Sequence, residues 1–188
     1  MPILRRRQGT STRSTATLPL EMREQLREPA LGAVPLDAEG STWAVATASS
    51  LVVFNGRSGP ESHPWDEVEQ GSWDGQDRVF TLRWTQQNRE DLALKVPAGV
   101  RNGDAYASAD VAPFAKALRQ RVEAAIIHSA VATLPSGAMA TASVRRGGDG
   151  ELYSVTRPLI SQVDELEDRQ ALQELENRVR EGVGLPTR

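Results

Sequence analysis

The stretch from His63 to Val96, HPWDEVEQGSWDGQDRVFTLRWTQQNREDLALKV, constrains the fold more than any other part of the chain. Phe80, Leu82 and Trp84 alternate with Thr81 and Arg83, and Leu92, Leu94 and Val96 alternate with Ala93 and Lys95. A period of two puts one side of each segment in a core and the other in solvent, the pattern of half-buried strands. Asp74-Gly75 marks a hairpin turn before the first, and the polar run Gln86 to Asp91 separates the two. Three of the four tryptophans, Trp65, Trp73 and Trp84, lie here. The stretch therefore reads as antiparallel strands that the other segments cover.

Upstream, Ala30 to Leu36, Trp43 to Thr47 and Leu51 to Phe54 read as short strands, with Asn55-Gly56 and Ser58-Gly59-Pro60 as a loop. Before them, residues 19–28 predict a short helix, with Leu18, Met22 and Leu26 on one face, that lies on the sheet as a cap. Val100 to Ala109 reads as a polar loop. Asp110 then suits an N-cap, and a helix runs to about Ile127 with Val111, Phe114, Leu118 and Val122 along one face. The period returns to two in Ala130 to Leu134, Ala138 to Val144 and Leu152 to Thr156, joined by Pro135-Ser136-Gly137 and Gly147 to Gly150. Asp164 to Glu181 predicts a last helix with an apolar stripe through Val163, Leu166, Leu172, Leu175 and Val179, stopped by Gly182 and Gly184.

Strands joined by short turns, with helices at the ends, give an α+β class: about six to seven strands in a bent antiparallel sheet, an amphipathic helix, and a C-terminal extension of three strands plus a helix. The expected organisation is an arm over residues 1–17, a sheet-and-helix unit over 18–128, and the extension over 129–188. The arm carries Arg5, Arg6, Arg7 and Arg13 without an acidic residue and too few apolar side chains to offset ordering, so it is expected to be disordered. These arginines are candidates for an electrostatic tether to an anionic lipid surface or RNA.

Pro64-Trp65-Asp66 to Trp73-Asp74 among antiparallel strands, then a helix containing Pro113-Phe114 and Arg119 to Arg121, resembles bacterial pleckstrin-homology-like domains over Ala30 to His128. The resemblance implies a bent sheet of about seven strands closed at one end by the helix. It also implies binding of a protein, peptide or lipid headgroup in place of chemistry, and it transfers no catalytic residue.

Composition narrows the function classes. The 188 residues include no cysteine, which removes disulfides, thiolate metal sites and thiol nucleophiles. Two histidines, His63 and His128, are too few for a tetrahedral nitrogen site. His63 reads as an exposed loop residue and His128 as a helix-end residue that complements the dipole. Asp164, Glu165, Glu167 and Asp168 suit a helix start better than a cation site. No nucleophile-elbow or Ser-x-x-Lys motif is present, and Gly182-Val183-Gly184 follows a helix, so neither hydrolase nor nucleotide signals emerge. A net charge of −3 disfavours a general nucleic-acid binder. No apolar run of about 18 residues or secretory leader is visible, so a cytoplasmic location is expected.

The expectation is a non-catalytic module, with no cofactor or metal, that binds a protein partner through a sheet edge or the last helix; the alternatives are a peripheral binder of anionic lipid or RNA through the arginine arm, and an enzyme with no recognisable motif. The candidate contact residues are Trp65 and Trp73, flanked by acids and glycine, and Arg145 and Arg146, which with Arg157 form a small basic patch. Neither partner identity nor oligomeric state is encoded legibly.

Overall fold

The computed structural model describes residues 14–56, 58–102 and 105–187, without the side chains of Ser58 and Asn102. In chain order the elements are β1 (Ser14–Thr15), α1 (Leu20–Glu24), β2 (Gly32–Pro35), β3 (Thr42–Ala46), β4 (Ser50–Asn55), β5 (Ser58–Pro64), β6 (Val68–Asp74), β7 (Val79–Trp84), β8 (Leu92–Lys95), β9 (Gly99–Asn102), β10 (Ala105–Ser108), α2 (Ala112–Ala125), β11 (Ile126–Thr133), β12 (Met139–Arg146), β13 (Leu152–Arg157) and α3 (Leu166–Glu181). Among the described residues the architecture is mixed α+β, mostly strands in antiparallel sheets with three helices; the parallel pairing of β1 with β10 is the exception. Among the described residues no helix is long and apolar enough to cross a membrane.

The first sheet is the meander β2-β3-β4-β5 and the second is β6-β7-β8. Turn chemistry sets both. Thr47 Oγ1 bonds the Ser50 carbonyl in the β3–β4 turn. Asp74 Oδ1 accepts the N–H groups of Gln76 and Asp77 at 2.8 and 3.0 Å in the β6–β7 turn, where Arg78 takes φ 55°. The Arg78 guanidinium then donates to the Val96 and Pro97 carbonyls, which fastens the turn to the end of β8.

α2 lies across both sheets and buries Phe114, Leu118 and Val122 against Val34, Phe80, Leu82 and Trp84. It comes close enough to need glycine beneath it. A Cβ on Gly32 would sit 2.6 Å from the backbone of Pro113 and Phe114. The other face of the first sheet buries Trp43, Val45 and Phe54 under Leu18 and the α1 segment (Met22, Leu26). The third sheet, β11-β12-β13, has a separate core: Ala140, Ala142 and Val144 lie beneath Leu172, Leu175 and Val179 of α3.

Several expected boundaries shift for physical reasons. Residues 58–60 belong to β5, not to a loop; β5 is an edge strand, where Pro60 and Pro64 are tolerated. The expected loop 100–109 is the hairpin β9–β10, and Ser14 and Thr15 of the expected arm pair with Ala107 and Ser108. Residues 1–13 lie outside the described residues. α2 stops at Ala125, so His128 sits in β11 and not at a helix end. α3 starts at Leu166, which is 63% exposed and leaves the apolar stripe, while Asp168 is buried and accepts the Ser136 N–H at 2.9 Å.

Candidate functional site

Polar side chains join the third sheet to the second. On β12 and β13, Arg145 stands opposite Tyr153 and Thr141 opposite Arg157, on the face away from α3. Each long side chain finds a partner around the start of β6. Arg145 Nη2 donates to the Val68 carbonyl at 2.6 Å. Tyr153 Oη donates to the Asp66 carbonyl at 2.8 Å. Arg157 donates from Nε to Glu69 Oε1 at 2.7 Å and from Nη2 to Glu69 Oε2. The β6–β7 register shifts between Val68 and Gln70, so Glu69 falls at the irregularity and turns its carboxylate to Arg157. This pairing raises the Arg157 pKa. Burial is the main influence on the other two: it pushes the Tyr153 phenol up to about 12 and the Arg145 guanidinium down.

Above these ties opens a cleft of about 700 Å3 bounded by Asp66, Glu67, Gln87, Tyr153, Ser154 and Glu176. Its carboxylates are already committed. Glu67 pairs with Arg89 at 3.0 Å, and Asp66 Oδ2 lies 3.2 Å from Tyr153 Oη. The buried Glu176 accepts from Ser154 Oγ at 2.5 Å and from Gln173. Arg180 donates to the same Ser154 hydroxyl at 2.8 Å. The cleft acids thus act as structural acceptors. Among the described residues no group of three or more His, Asp or Glu is placed to hold a metal ion.

β11 offers a different kind of surface. It is an edge strand of eight residues, IIHSAVAT, with no Asp, Glu, Lys, Arg or Pro. Leu134 N–H bonds the Ala138 carbonyl, so Leu134, Ala132, Ala130 and His128 are the residues whose backbone groups face β12. The intervening Ser129, Val131 and Thr133 therefore turn N–H and C=O to the open side. Their side chains share the sheet face away from α3 with Met139 and Thr141. Val131 is 61% and Met139 65% exposed.

The residues expected to contact a partner are dispersed. Trp65 is buried, with its indole N–H donating to the Thr47 carbonyl at 3.0 Å, because it plugs the junction between the first two sheets. Trp73 is half-buried, its ring 4.3 Å from Phe80 with the Arg78 guanidinium 5.9 Å above it. Arg145 is 1% exposed inside the seam, with Nε lacking a partner, whereas Arg146 is exposed and closes its own hairpin onto the Gly150 carbonyl at 3.1 Å. Arg157 is taken by Glu69, so Arg145, Arg146 and Arg157 do not form a basic patch. The α3 stripe is spent on the third-sheet core. Arg5, Arg6, Arg7 and Arg13 lie outside the described residues.

Sequence reasoning missed His63. It is buried in β5 against Trp84, with ring centroids 5.0 Å apart, and its Nδ1 lies 2.9 Å from Arg89 Nη2. No signal links positions 63 and 89 until β5 is recognised as a strand. No family model, curated protein or solved structure matches this chain.

Proposed function

We propose that the chain is a non-catalytic interaction module, pleckstrin-homology-like over the sheet-and-helix unit 18–128, that binds a protein partner by adding the partner's strand to β11. A four-stranded meander, a three-stranded meander and an amphipathic helix lying across both support the likeness. The observation that carries the binding mode is the open edge itself. Edge strands usually carry a charge, a proline or a cover that blocks pairing. β11 has no Asp, Glu, Lys, Arg or Pro, and among the described residues it pairs only with β12. Backbone groups of Ser129, Val131 and Thr133 supply affinity for any extended segment. The exposed Val131 and Met139 favour one with apolar or β-branched residues at alternate positions.

Selection from a displayed library of peptides about ten residues long tests this. Alternating apolar sequences are expected to emerge. They are expected to lose binding to Val131→Pro, which removes an outward N–H that β12 does not use. Binding that survives this substitution, in a variant that keeps its thermal midpoint, contradicts the proposal.

A further inference from the structure

We propose that His63, Arg89 and Glu67 form an acid-released latch that holds the β7–β8 turn, residues 85–91, against the rest of the molecule. Arg89 is the bolt. Its guanidinium lies 3.5 Å from the centre of the Trp84 ring, pairs with Glu67 at 3.0 Å and reaches His63 Nδ1 at 2.9 Å. These contacts come from β7, the 3-10 turn Trp65–Glu67 and β5, so one side chain ties the turn to three elements. The turn in turn reaches the third sheet, where Gln87 Nε2 donates to the Thr156 carbonyl at 3.2 Å, and Gln86, Gln87 and Asn88 bound the cleft.

The chemistry of the Arg89–His63 contact gives the latch its direction. A guanidinium only donates, so Nδ1 must accept, and His63 must be neutral with its proton on Nε2. That Nε2 faces Glu61 Oε1 at 3.4 Å. Protonation at Nδ1 replaces acceptor by donor and sets two cations against each other in a site that is 5% exposed. The charged groups facing the ring are Glu61 on β5, Arg89 on the turn and Glu67 on the 3-10 turn; β4 contributes Leu51 opposite His63, and β7 contributes Trp84. Burial is the largest influence and keeps the imidazole below its ordinary value, with Arg89 acting in the same sense and the two glutamates against it. The latch is therefore closed at neutral pH. As pH falls from the open-state pKa towards the latched one, the open fraction rises by up to about tenfold per pH unit.

Hydrogen exchange of residues 85–91, corrected for intrinsic rates, measures opening between about pH 8 and about pH 5 while imidazole NMR follows His63. A His128→Asn variant assigns the two histidine signals. Exchange in the turn is expected to rise with the His63 titration. His63→Asn, which keeps an acceptor and cannot take the proton, is expected to abolish that rise. Arg89→Met is expected to raise the His63 pKa and to leave turn exchange insensitive to its protonation, so the test survives if His63→Asn does not fold. A turn that stays protected once His63 is protonated, or that opens equally in His63→Asn or in step with His63 in Arg89→Met, overturns the latch.

Discussion

Arg157 and Glu69 meet across 88 positions of chain, Nε to Oε1 at 2.7 Å, and join the last strand to the irregularity in β6. Both side chains keep some solvent contact, so screening limits what the pair contributes. A double-mutant cycle with Arg157→Met and Glu69→Gln is expected to give a coupling of about 1 kcal/mol that shrinks at high salt. Denaturant unfolding of the four proteins at two salt concentrations checks it.

Arg145 is a buried cation that donates to the Val68 carbonyl and lies beside the Tyr153 hydroxyl. Arg145→Ala removes that donor and leaves a cavity, at an expected cost of about 2–4 kcal/mol. Arg145→Met fills most of the volume and spares the desolvation of a charge, so it is expected to cost clearly less. Equal losses in the two variants would assign the role of Arg145 to its hydrogen bond instead of its bulk.

Tyr153 links alkaline pH to stability. Burial raises its phenol from 10.0 to about 12, so the folded state holds this proton more tightly than the unfolded chain. The contribution is complete below the unfolded value of 10.0 and is lost as pH rises from there towards about 12. Tyr153→Phe is expected to lose about 1 kcal/mol at neutral pH and to flatten this alkaline decline. Unfolding midpoints across the range, in a Tyr106→Phe background for the absorbance titration, check both effects.

The closing helix makes different demands on two glycines. A Cβ on Gly32 meets the α2 backbone, which cannot yield, whereas on Gly71 it meets the Leu118 side chain at 2.9–3.2 Å, which can rotate. Gly32→Ala is expected to cost about 2–3 kcal/mol and Gly71→Ala less than about 1 kcal/mol. Thermal and denaturant unfolding of the two variants give the order.

What the sequence made legible follows local periodicity. Phe80, Leu82 and Trp84 on β7 and Phe114, Leu118 and Val122 on α2 announce themselves because each buries a face at the period of its element. Pro135-Ser136-Gly137 and Gly147 to Gly150 mark the turns of the third sheet for the same local reasons. β5 escaped because SGPESHP has no apolar alternation, and its pairing with β4 comes from the neighbouring strand. Arg145 shows the limit most clearly. Alternation along β12 correctly puts it opposite Ala142 and Val144, on a face that reads as solvent; the second sheet docks there and buries it. Of the candidate contacts, Trp65 has acidic neighbours that leave core and groove both open, and those neighbours, Asp66 and Glu67, point to Tyr153 and Arg89 while the indole turns inward.

The most direct test of the binding account is residue-resolved amide exchange on β11 with a selected peptide bound. The open-edge geometry predicts that Ser129, Val131 and Thr133 become protected, while Ala130 and Ala132, already bonded to β12, change little. A bound peptide that leaves those three amides exchanging as in the free protein would contradict strand addition at β11.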